Sequence, residues 1–315
     1  MKKLIVLLTL FIVINFPIKA KILPDDTVLD ITKVTSPNGI NAWLVKDDSL
    51  PIISIKFAFM GAGSVNLTKE QQGISQLLSN TLDEGAGEYT SQEFQKALSD
   101  HSISLHFNAS RDNFGGSLKF LTREKEKAVE LLTLALNEPR FDAEPLERMK
   151  QANLTRIKSS QGDPEWLAAR IYNDRAYEGH PYALNSGGTL STLAKITADD
   201  LRNFKNTNLT KDRLMVGVSG NINATDLGLL LDKIFNGLPD IAPQTSIEKT
   251  TIRNKGKTYL HEKDIPQSIL MNSMDSIDET DKDFYSLQIL NHIFGASGFG
   301  SRLMEEAREK QGLTY

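Results

Sequence analysis

The chain has 315 residues, of which 40% are hydrophobic and 24% are charged. This composition is typical of a globular protein with one large domain or two medium-sized ones. The net charge of -4 gives no basic surface of the kind that nucleic-acid-binding proteins carry, so nucleic acid is not expected as a partner. The absence of cysteine excludes a disulfide framework, a thiolate zinc site and a lipid anchor on cysteine.

The first 20 residues combine Lys2 and Lys3 with an apolar run over 4–16, and they end in Ala20. These three parts predict a cleaved signal peptide over residues 1–20, because the apolar run is too short for a comfortable membrane span. An uncleaved N-terminal anchor is the alternative. A cysteine-free exported protein fits the bacterial periplasm, where we expect this protein to be located, without a membrane span after cleavage.

In chain order, the hydrophobic pattern mixes strand pairs with helices. Strands are predicted over residues 40–45, 52–59, 103–110, 113–120 and 213–219. Helices are predicted over 73–85, 91–100 with Thr90 as N-cap, 125–136, 145–159 with Pro145 as the first residue, 164–177, up to 204 with Thr197 as N-cap, and 225–235. Because strand pairs and helices occur in blocks, we expect an α+β fold with a mainly antiparallel sheet and packed helices.

A polar, proline-bearing segment over residues 239–256 predicts a domain boundary. Beyond it, residues 263–270 echo residues 48–55, with Pro266 lying 215 positions after Pro51. This echo predicts an N-terminal domain over residues 21–240 and the beginning of a second, homologous domain over residues 241–315. The echo also predicts that the second copy is cut short, and so incomplete.

The predicted helix over 73–85 carries a polar stripe. Its apolar residues share one face, while Gln76, Ser79 and Asn80 line the opposite face at i, i+3 and i+4. A stripe with this spacing is suited to a metal or a substrate, and it is equally typical of a solvated surface. The residues of the helix alone leave both interpretations open.

Four segments, in this order, resemble the pitrilysin or insulinase family of zinc peptidases, the inverzincins. They are NGINAWLVKDDSLPIISIKF, the hairpin that leads to LNEPRFD, the loop EGHPY and the strand MVGVSGNI. The resemblance covers almost all of residues 30–315. It implies two homologous α+β domains that face each other across an enclosed chamber for unfolded peptides.

In that family the corresponding helix carries His-x-x-Glu-His, in which two histidines bind zinc and the glutamate activates water. The resemblance places Gln76, Ser79 and Asn80 at these three positions and Arg156 at the position of the third ligand, a glutamate. Amide oxygens are poor zinc ligands, a serine hydroxyl has no pKa near neutrality, and a guanidinium repels a dication. The five histidines show no His-x-x-Glu-His in either direction. We therefore expect no catalytic residue and no metal ligand in this chain, with zinc in a partner subunit.

The segment GASGFGSRLMEEAREKQGLTY resembles the second-domain motif of the family, in which an arginine and a tyrosine bind the substrate carbonyl as it becomes an oxyanion. These residues are Arg308 and Tyr315 here. Both side chains donate hydrogen bonds, and arginine stays charged at any working pH. An ordinary helix end with Gly312 as its cap is the alternative reading of the same segment.

Lost zinc ligands and a retained Arg/Tyr pair lead to three hypotheses. The first is a non-catalytic, substrate-holding subunit that binds unfolded peptides and completes the active site of a zinc-bearing homologous subunit. The second is a structural or assembly protein of the same fold, or a truncated relic, without peptide chemistry. The third is a metallopeptidase that is active by itself. The sequence has no phosphate loop, dinucleotide fingerprint or nucleophile elbow, so no other cofactor is expected.

Overall fold

The structure, a computed structural model, describes residues 29–243 and 247–314. The predicted signal peptide over 1–20 and Tyr315 lie outside the described residues. No helix within the described ranges is both long and apolar enough to cross a membrane.

A mixed sheet of six strands forms the centre of residues 29–243. Its strands run in the order β1-β2-β6-β3-β5-β4, and only the β2–β6 pair is parallel. They are β1 Ile31–Thr35, β2 Asn41–Lys46, β3 Ile52–Phe59, β4 Ser104–Ala109, β5 Phe114–Leu121 and β6 Leu214–Gly220. The prediction of a mainly antiparallel α+β fold is confirmed. Strand β1 is missed by the sequence pattern because Val34 is its only buried residue.

The described residues form nine α-helices, several of which pack against the sheet. They are α1 Ile74–Ser79, α2 Ser91–Asp100, α3 Lys125–Asn137, α4 Ala143–Ser160, α5 Pro164–Ala176, α6 Leu190–Leu193, α7 Ala198–Asn208, α8 Ala224–Phe235 and, near the end of the described residues, α9 Phe284–Asn291. Thr90 and Thr197 cap α2 and α7 as predicted, each accepting a hydrogen bond from the backbone three residues on. Pro145 is the third residue of α4 rather than its first, which the first turn of a helix tolerates.

Strand β3 shows why the sheet buries one face. Its residues alternate, with Ile53, Ile55, Phe57 and Phe59 buried and the intervening residues more exposed. The ring of Phe57 meets that of Phe235 from α8 edge to face, with 5.6 Å between the ring centroids. The core of the protein therefore lies between this face of the sheet and the helices.

Helix α1 is shorter than the sequence pattern predicts. It ends at Ser79, with Asn80 as its C-cap, instead of continuing to residue 85. The hydroxyl of Thr81 donates to the carbonyls of Leu77 and Leu78, at 2.9 and 3.2 Å, and so competes for acceptors that a continuing helix needs. The prediction was wrong in the length of the helix, but its apolar face is buried: Ile74, Leu77, Leu78 and Leu82.

Residues 247–314 lie beside α5 and form little regular structure. The Arg253 N–H donates to the Ala176 carbonyl at 2.8 Å, and Lys263 Nζ donates to the Gly162 carbonyl at 2.7 Å. Residues 257–283, all of them described, form no helix or strand, so residues 263–270 do not repeat the strand at 52–59. Leu260 and Leu270 are 84% and 89% exposed. The division of the chain into two homologous domains stays a prediction.

The turn after α1 buries the side-chain carboxyl group of Asp83, which disfavours its charged form. Burial raises the pKa of Asp83 to about 6, and the neighbouring carboxylate of Glu84 adds to this effect. Because the folded-state pKa exceeds the ordinary value of 3.8, the fold favours the protonated carboxyl. The stability that Asp83 contributes is therefore greatest below pH 4 and is lost as the pH rises through about 6.

We expect Asp83→Asn to raise the free energy of unfolding at pH 7 by roughly 1–2 kcal/mol, because the amide has no charge to desolvate. The gain should vanish below about pH 4, where Asp83 is protonated in both states. Urea unfolding of both proteins between pH 4 and pH 7 measures this difference. Asp48→Asn is the matched control, since Asp48 is 56% exposed and paired with Lys46. Parallel pH profiles for Asp83→Asn and the parent protein would contradict the prediction.

Candidate functional site

Helices α1 and α4 meet at the four positions that the family resemblance singles out. Gln76 and Ser79 lie on α1, Asn80 is its C-cap, and Arg156 lies on α4. The N-cap of α1 is Gly73, whose φ of +97° favours glycine. The α4 helix turns Leu146, Asn153 and Ile157 toward the core, which is the spacing of one helix face.

A continuous chain of hydrogen bonds joins these side chains. Gln76 Nε2 donates to Ser79 Oγ at 3.2 Å and to Asn80 Oδ1 at 3.4 Å. Asn153 Nδ2 donates to the same Asn80 Oδ1 at 3.1 Å, and Arg156 Nη2 donates to Asn153 Oδ1 at 3.1 Å. We call these five residues the amide cluster. The structure thus brings together all four predicted positions, through one residue, Asn153, that the sequence analysis missed.

The amide cluster does not have the groups that a zinc site needs. It offers no imidazole, carboxylate or thiolate, and Arg156 adds a positive charge. The Ser79 hydroxyl donates to the Gln76 carbonyl at 2.8 Å, so it has no base beside it that would take its proton. Across residues 29–243 and 247–314, no three His, Cys, Asp or Glu side chains lie close enough together to hold a metal ion. The residues present do not fit zinc, and no reaction step follows from one here.

A glycine-containing loop packs against the cluster. The Asn185 N–H donates to Gln72 Oε1 at 2.8 Å, which holds the loop to the start of α1. A Cβ atom on Gly187 would lie 3.3 Å from Arg156 Nη2, and one on Gly188 would lie 2.9 Å from the Gln72 carbonyl oxygen. Small residues are therefore required where this loop passes the guanidinium. Two features of the sequence could have pointed to this part of the site. They are the adjacent glycines Gly187 and Gly188, and an asparagine, Asn153, three positions before Arg156.

The histidines with the most contacts lie in loops and hairpins away from the cluster. His101 Nδ1 pairs with Glu124 at 2.6 Å, next to the β4–β5 hairpin. His180 Nδ1 accepts from the Tyr182 N–H at 3.2 Å, and its Nε2 donates to the Glu248 carbonyl at 3.0 Å. His180 therefore anchors its loop, as expected. The Tyr182 hydroxyl donates to Asp112 at 2.7 Å, and burial together with this bond raises the pKa of Tyr182 to about 12.

Arg308 lies in a π-helical segment, Met304–Lys310, outside the amide cluster. Its guanidinium carbon sits 4.7 Å from the centroid of the Phe299 ring, which comes from the glycine-rich loop, and its Nε lies 3.9 Å from Glu309. Within the described residues, no hydrogen bond or ion pair joins Arg308 to the cluster. The role of Arg308 and Tyr315 in substrate binding stays a prediction.

Comparisons with known families identify the class of this fold. The sequence profile of the insulinase family, peptidase family M16, matches residues 54–189. The profile described as the peptidase M16 inactive domain matches residues 195–315. The chain therefore belongs to the insulinase family of peptidases, which confirms the resemblance. The first match includes the amide cluster, and the second includes Arg308.

Several relatives bear names that describe lost or unproven activity. The non-peptidase homolog YmxG of Helicobacter pylori is 28% identical over 267 residues, which is 84% of this chain and 61% of that protein. The probable inactive metalloprotease YmfF of Bacillus subtilis is 25% identical over 301 residues, 88% of this chain and 68% of that protein. The uncharacterized zinc protease YmxG of the same organism is 24% identical over 285 residues. This chain thus spans 61% to 68% of the length of these relatives.

Solved structures agree on the fold. The peptidase M16 inactive domain from Pseudomonas fluorescens superposes with a TM-score of 0.79 at 24% identity, covering 91% of this chain and 69% of that one. Pitrilysin superposes with a TM-score of 0.63 at 18% identity, covering 72% of this chain and 25% of that one. At these identities the likeness shows the fold alone.

We expect the triple variant Gln76→His, Asn80→His, Arg156→Glu to bind zinc stoichiometrically, because the structure connects these side chains and the new ones are zinc ligands. Equilibrium dialysis followed by metal analysis measures the zinc, and circular dichroism checks the fold. The matched control keeps Arg156 beside the two new histidines and should bind zinc at least about tenfold more weakly. A folded triple variant that binds no zinc would place the third ligand position elsewhere than Arg156.

Proposed function

We propose that this protein is a non-catalytic, substrate-holding subunit of a periplasmic peptidase pair, whose zinc-bearing subunit is a homologue of the same family. The observation that carries the proposal is the amide cluster, which occupies the place of the zinc chemistry and contains no metal ligand. The names of two relatives, non-peptidase homolog and probable inactive metalloprotease, support the absence of activity in this chain alone. The predicted signal peptide supports export.

An open sheet edge beside the cluster supports the binding of peptides. Strand β4 is the last strand in the sheet order and pairs only with β5 within the described residues. Helix α1, which carries Gln76 and Ser79, packs against β4. An unpaired strand edge can add an extended peptide through main-chain hydrogen bonds. A bound peptide would then run next to the cluster.

The segment around Arg308 supports the contribution to a partner. Arg308 is held over Phe299, and its side chain is 31% exposed, so the guanidinium is positioned and accessible. Large apolar side chains of the same segment are also exposed, such as Leu313 at 74% and Phe299 at 70%. Apolar surface of this extent is suited to contact with further polypeptide, either a partner or the additional length that the relatives have. Covering it would bring Arg308 to an interface.

The same exposed surface also fits the second hypothesis, a structural or assembly protein of this fold. That protein would associate with a partner through the apolar surface and would have no use for the guanidinium. The two functions therefore differ in whether peptidase activity depends on Arg308, and one reconstitution separates them.

We expect the mature protein, mixed with the His-x-x-Glu-His homologue from the same genome, to hydrolyse an unstructured fluorogenic peptide faster than either protein alone. Arg308→Gln should lower kcat of the pair by roughly 10²–10³-fold, the usual effect of removing one oxyanion donor. The matched control is Arg302→Gln, because Arg302 is an exposed arginine on the same segment.

Complex formation is measured separately by analytical ultracentrifugation. A complex that forms without any gain in activity, or a pair that keeps full activity with Arg308→Gln, would support the assembly protein instead. Hydrolysis and stoichiometric zinc in the purified chain alone would establish the third hypothesis.

A further inference from the structure

The orientation of every amide in the cluster follows from two fixed groups. A guanidinium only donates hydrogen bonds, and a main-chain carbonyl only accepts them. Asn153 therefore turns its Oδ1 to Arg156 and its Nδ2 to the Met149 carbonyl, which lies at 3.1 Å. Asn153 is 6% exposed, so this arrangement is buried.

The direction of Asn153 fixes Asn80 and Gln76 in turn. Asn153 Nδ2 donates to Asn80, so Asn80 must present its oxygen inward. That oxygen also faces Gln76, which must present its nitrogen. Asn80 Oδ1 thus accepts two hydrogen bonds, and the lone pairs of this carbonyl are both used inside the cluster.

The polar groups of the cluster that these hydrogen bonds leave without a partner are mostly donors. Asn80 Nδ2 makes no hydrogen bond within the described residues, and Asn80 is partly exposed. Arg156 is exposed, donates through Nη2 to Asn153, and forms no ion pair with an acidic residue in the part of the chain that the structure describes. Asn80 and Arg156 are both hydrogen-bonded to one carboxamide, that of Asn153. Gln76 Oε1 is an acceptor that no donor within residues 29–243 or 247–314 engages.

We propose that the amide cluster is a binding site for a carboxylate of a peptide. The Asn80 amide and the Arg156 guanidinium donate to the carboxylate oxygens, and Gln76 Oε1 accepts an N–H of the same peptide. Charge-assisted hydrogen bonds of this kind are stronger than neutral ones, and arginine matches the planar carboxylate. The absence of a Cβ on Gly187 leaves space beside the guanidinium. The site would thus bind an anionic group where a zinc peptidase binds a cation.

The carboxylate has two possible sources in a peptide, its C-terminus and an acidic side chain. Isothermal titration calorimetry on the mature chain alone distinguishes them with one neutral, unstructured peptide in three forms. The first form has a free C-terminal carboxylate, the second a C-terminal amide, and the third a C-terminal amide with one added glutamate. We expect the first or the third form to bind at least about tenfold more tightly than the neutral amide, and the tighter form identifies the source.

Two variants test the residues. Asn80→Asp keeps an inward oxygen for Gln76 and Asn153 and replaces the outward amide with a second, negatively charged oxygen. Arg156→Gln keeps a donor for Asn153 and removes the charge. We expect both variants to lose the preference for the carboxylate. Arg123→Gln is the control, because the Arg123 side chain is 76% exposed and pairs with Glu124 elsewhere on the surface. Thermal unfolding confirms that each variant folds.

Equal affinity of the parent protein for all three peptides, absence of binding to any of them, or a preference that survives Asn80→Asp would overturn the inference. The test needs no partner subunit, so its result is separate from that of the reconstituted pair. The reconstituted pair could gain activity that depends on Arg308 while the chain alone shows no preference for the carboxylate. That result would contradict this inference and leave the proposed function in place.

Discussion

Backbone hydrogen bonds along both edges of β3 hold the sheet together. Eight residues of β3 pair with β5 on one side and seven pair with β6 on the other, so β3 joins the two halves of the sheet. The side chains that β3 turns to one face include Phe57 and Phe59, which are nearly or fully buried under the helices. Because a one-residue slip would expose that whole row, the register is strongly specified. The positions of β4 and of the helices against it, including α1, depend on this register.

The amide cluster shows how side-chain hydrogen bonds can join α1 to α4. A buried polar group that is left without a partner costs about 1–3 kcal/mol. Here the buried Asn153 side chain uses both its nitrogen and its oxygen in hydrogen bonds. It links Asn80, at the end of α1, to Arg156, which lies on α4 together with Asn153. The Asn153–Asn80 hydrogen bond thereby joins α4 to the C-terminal end of α1. The buried Asn153 carboxamide, which has a partner for both its nitrogen and its oxygen, also favours one arrangement of the two helices.

Local sequence signals predict local features well. Thr90 is the N-cap of α2, as predicted, and the structure adds a capping box with Glu93. The alternation of β3 predicts its bounds correctly. The length of α1 is not predicted, because the Thr81 hydroxyl competes with the backbone in a way that the apolar spacing does not reveal. Asn153 has a local partner in Arg156, three positions on in the same helix, but its bond to Asn80 forms only when α1 and α4 meet. The resemblance locates the four positions of the cluster, but not the residue that connects them.

The side chains of the amide cluster include hydrogen-bond donors that can bind an oxygen-bearing group, but no general base that hydrolysis would need. Peptide hydrolysis by a zinc site needs a Lewis acid and a general base, and the cluster contains neither. Ser79 donates its proton to a main-chain carbonyl, and Arg156 stays charged at any working pH. Arg308, the other positively charged group of interest, is likewise a donor only. Groups that only donate can hold a carboxylate or a carbonyl oxygen, but they cannot take a proton from water. The side chains of the cluster are therefore suited to binding an oxygen-bearing group and not to activating water.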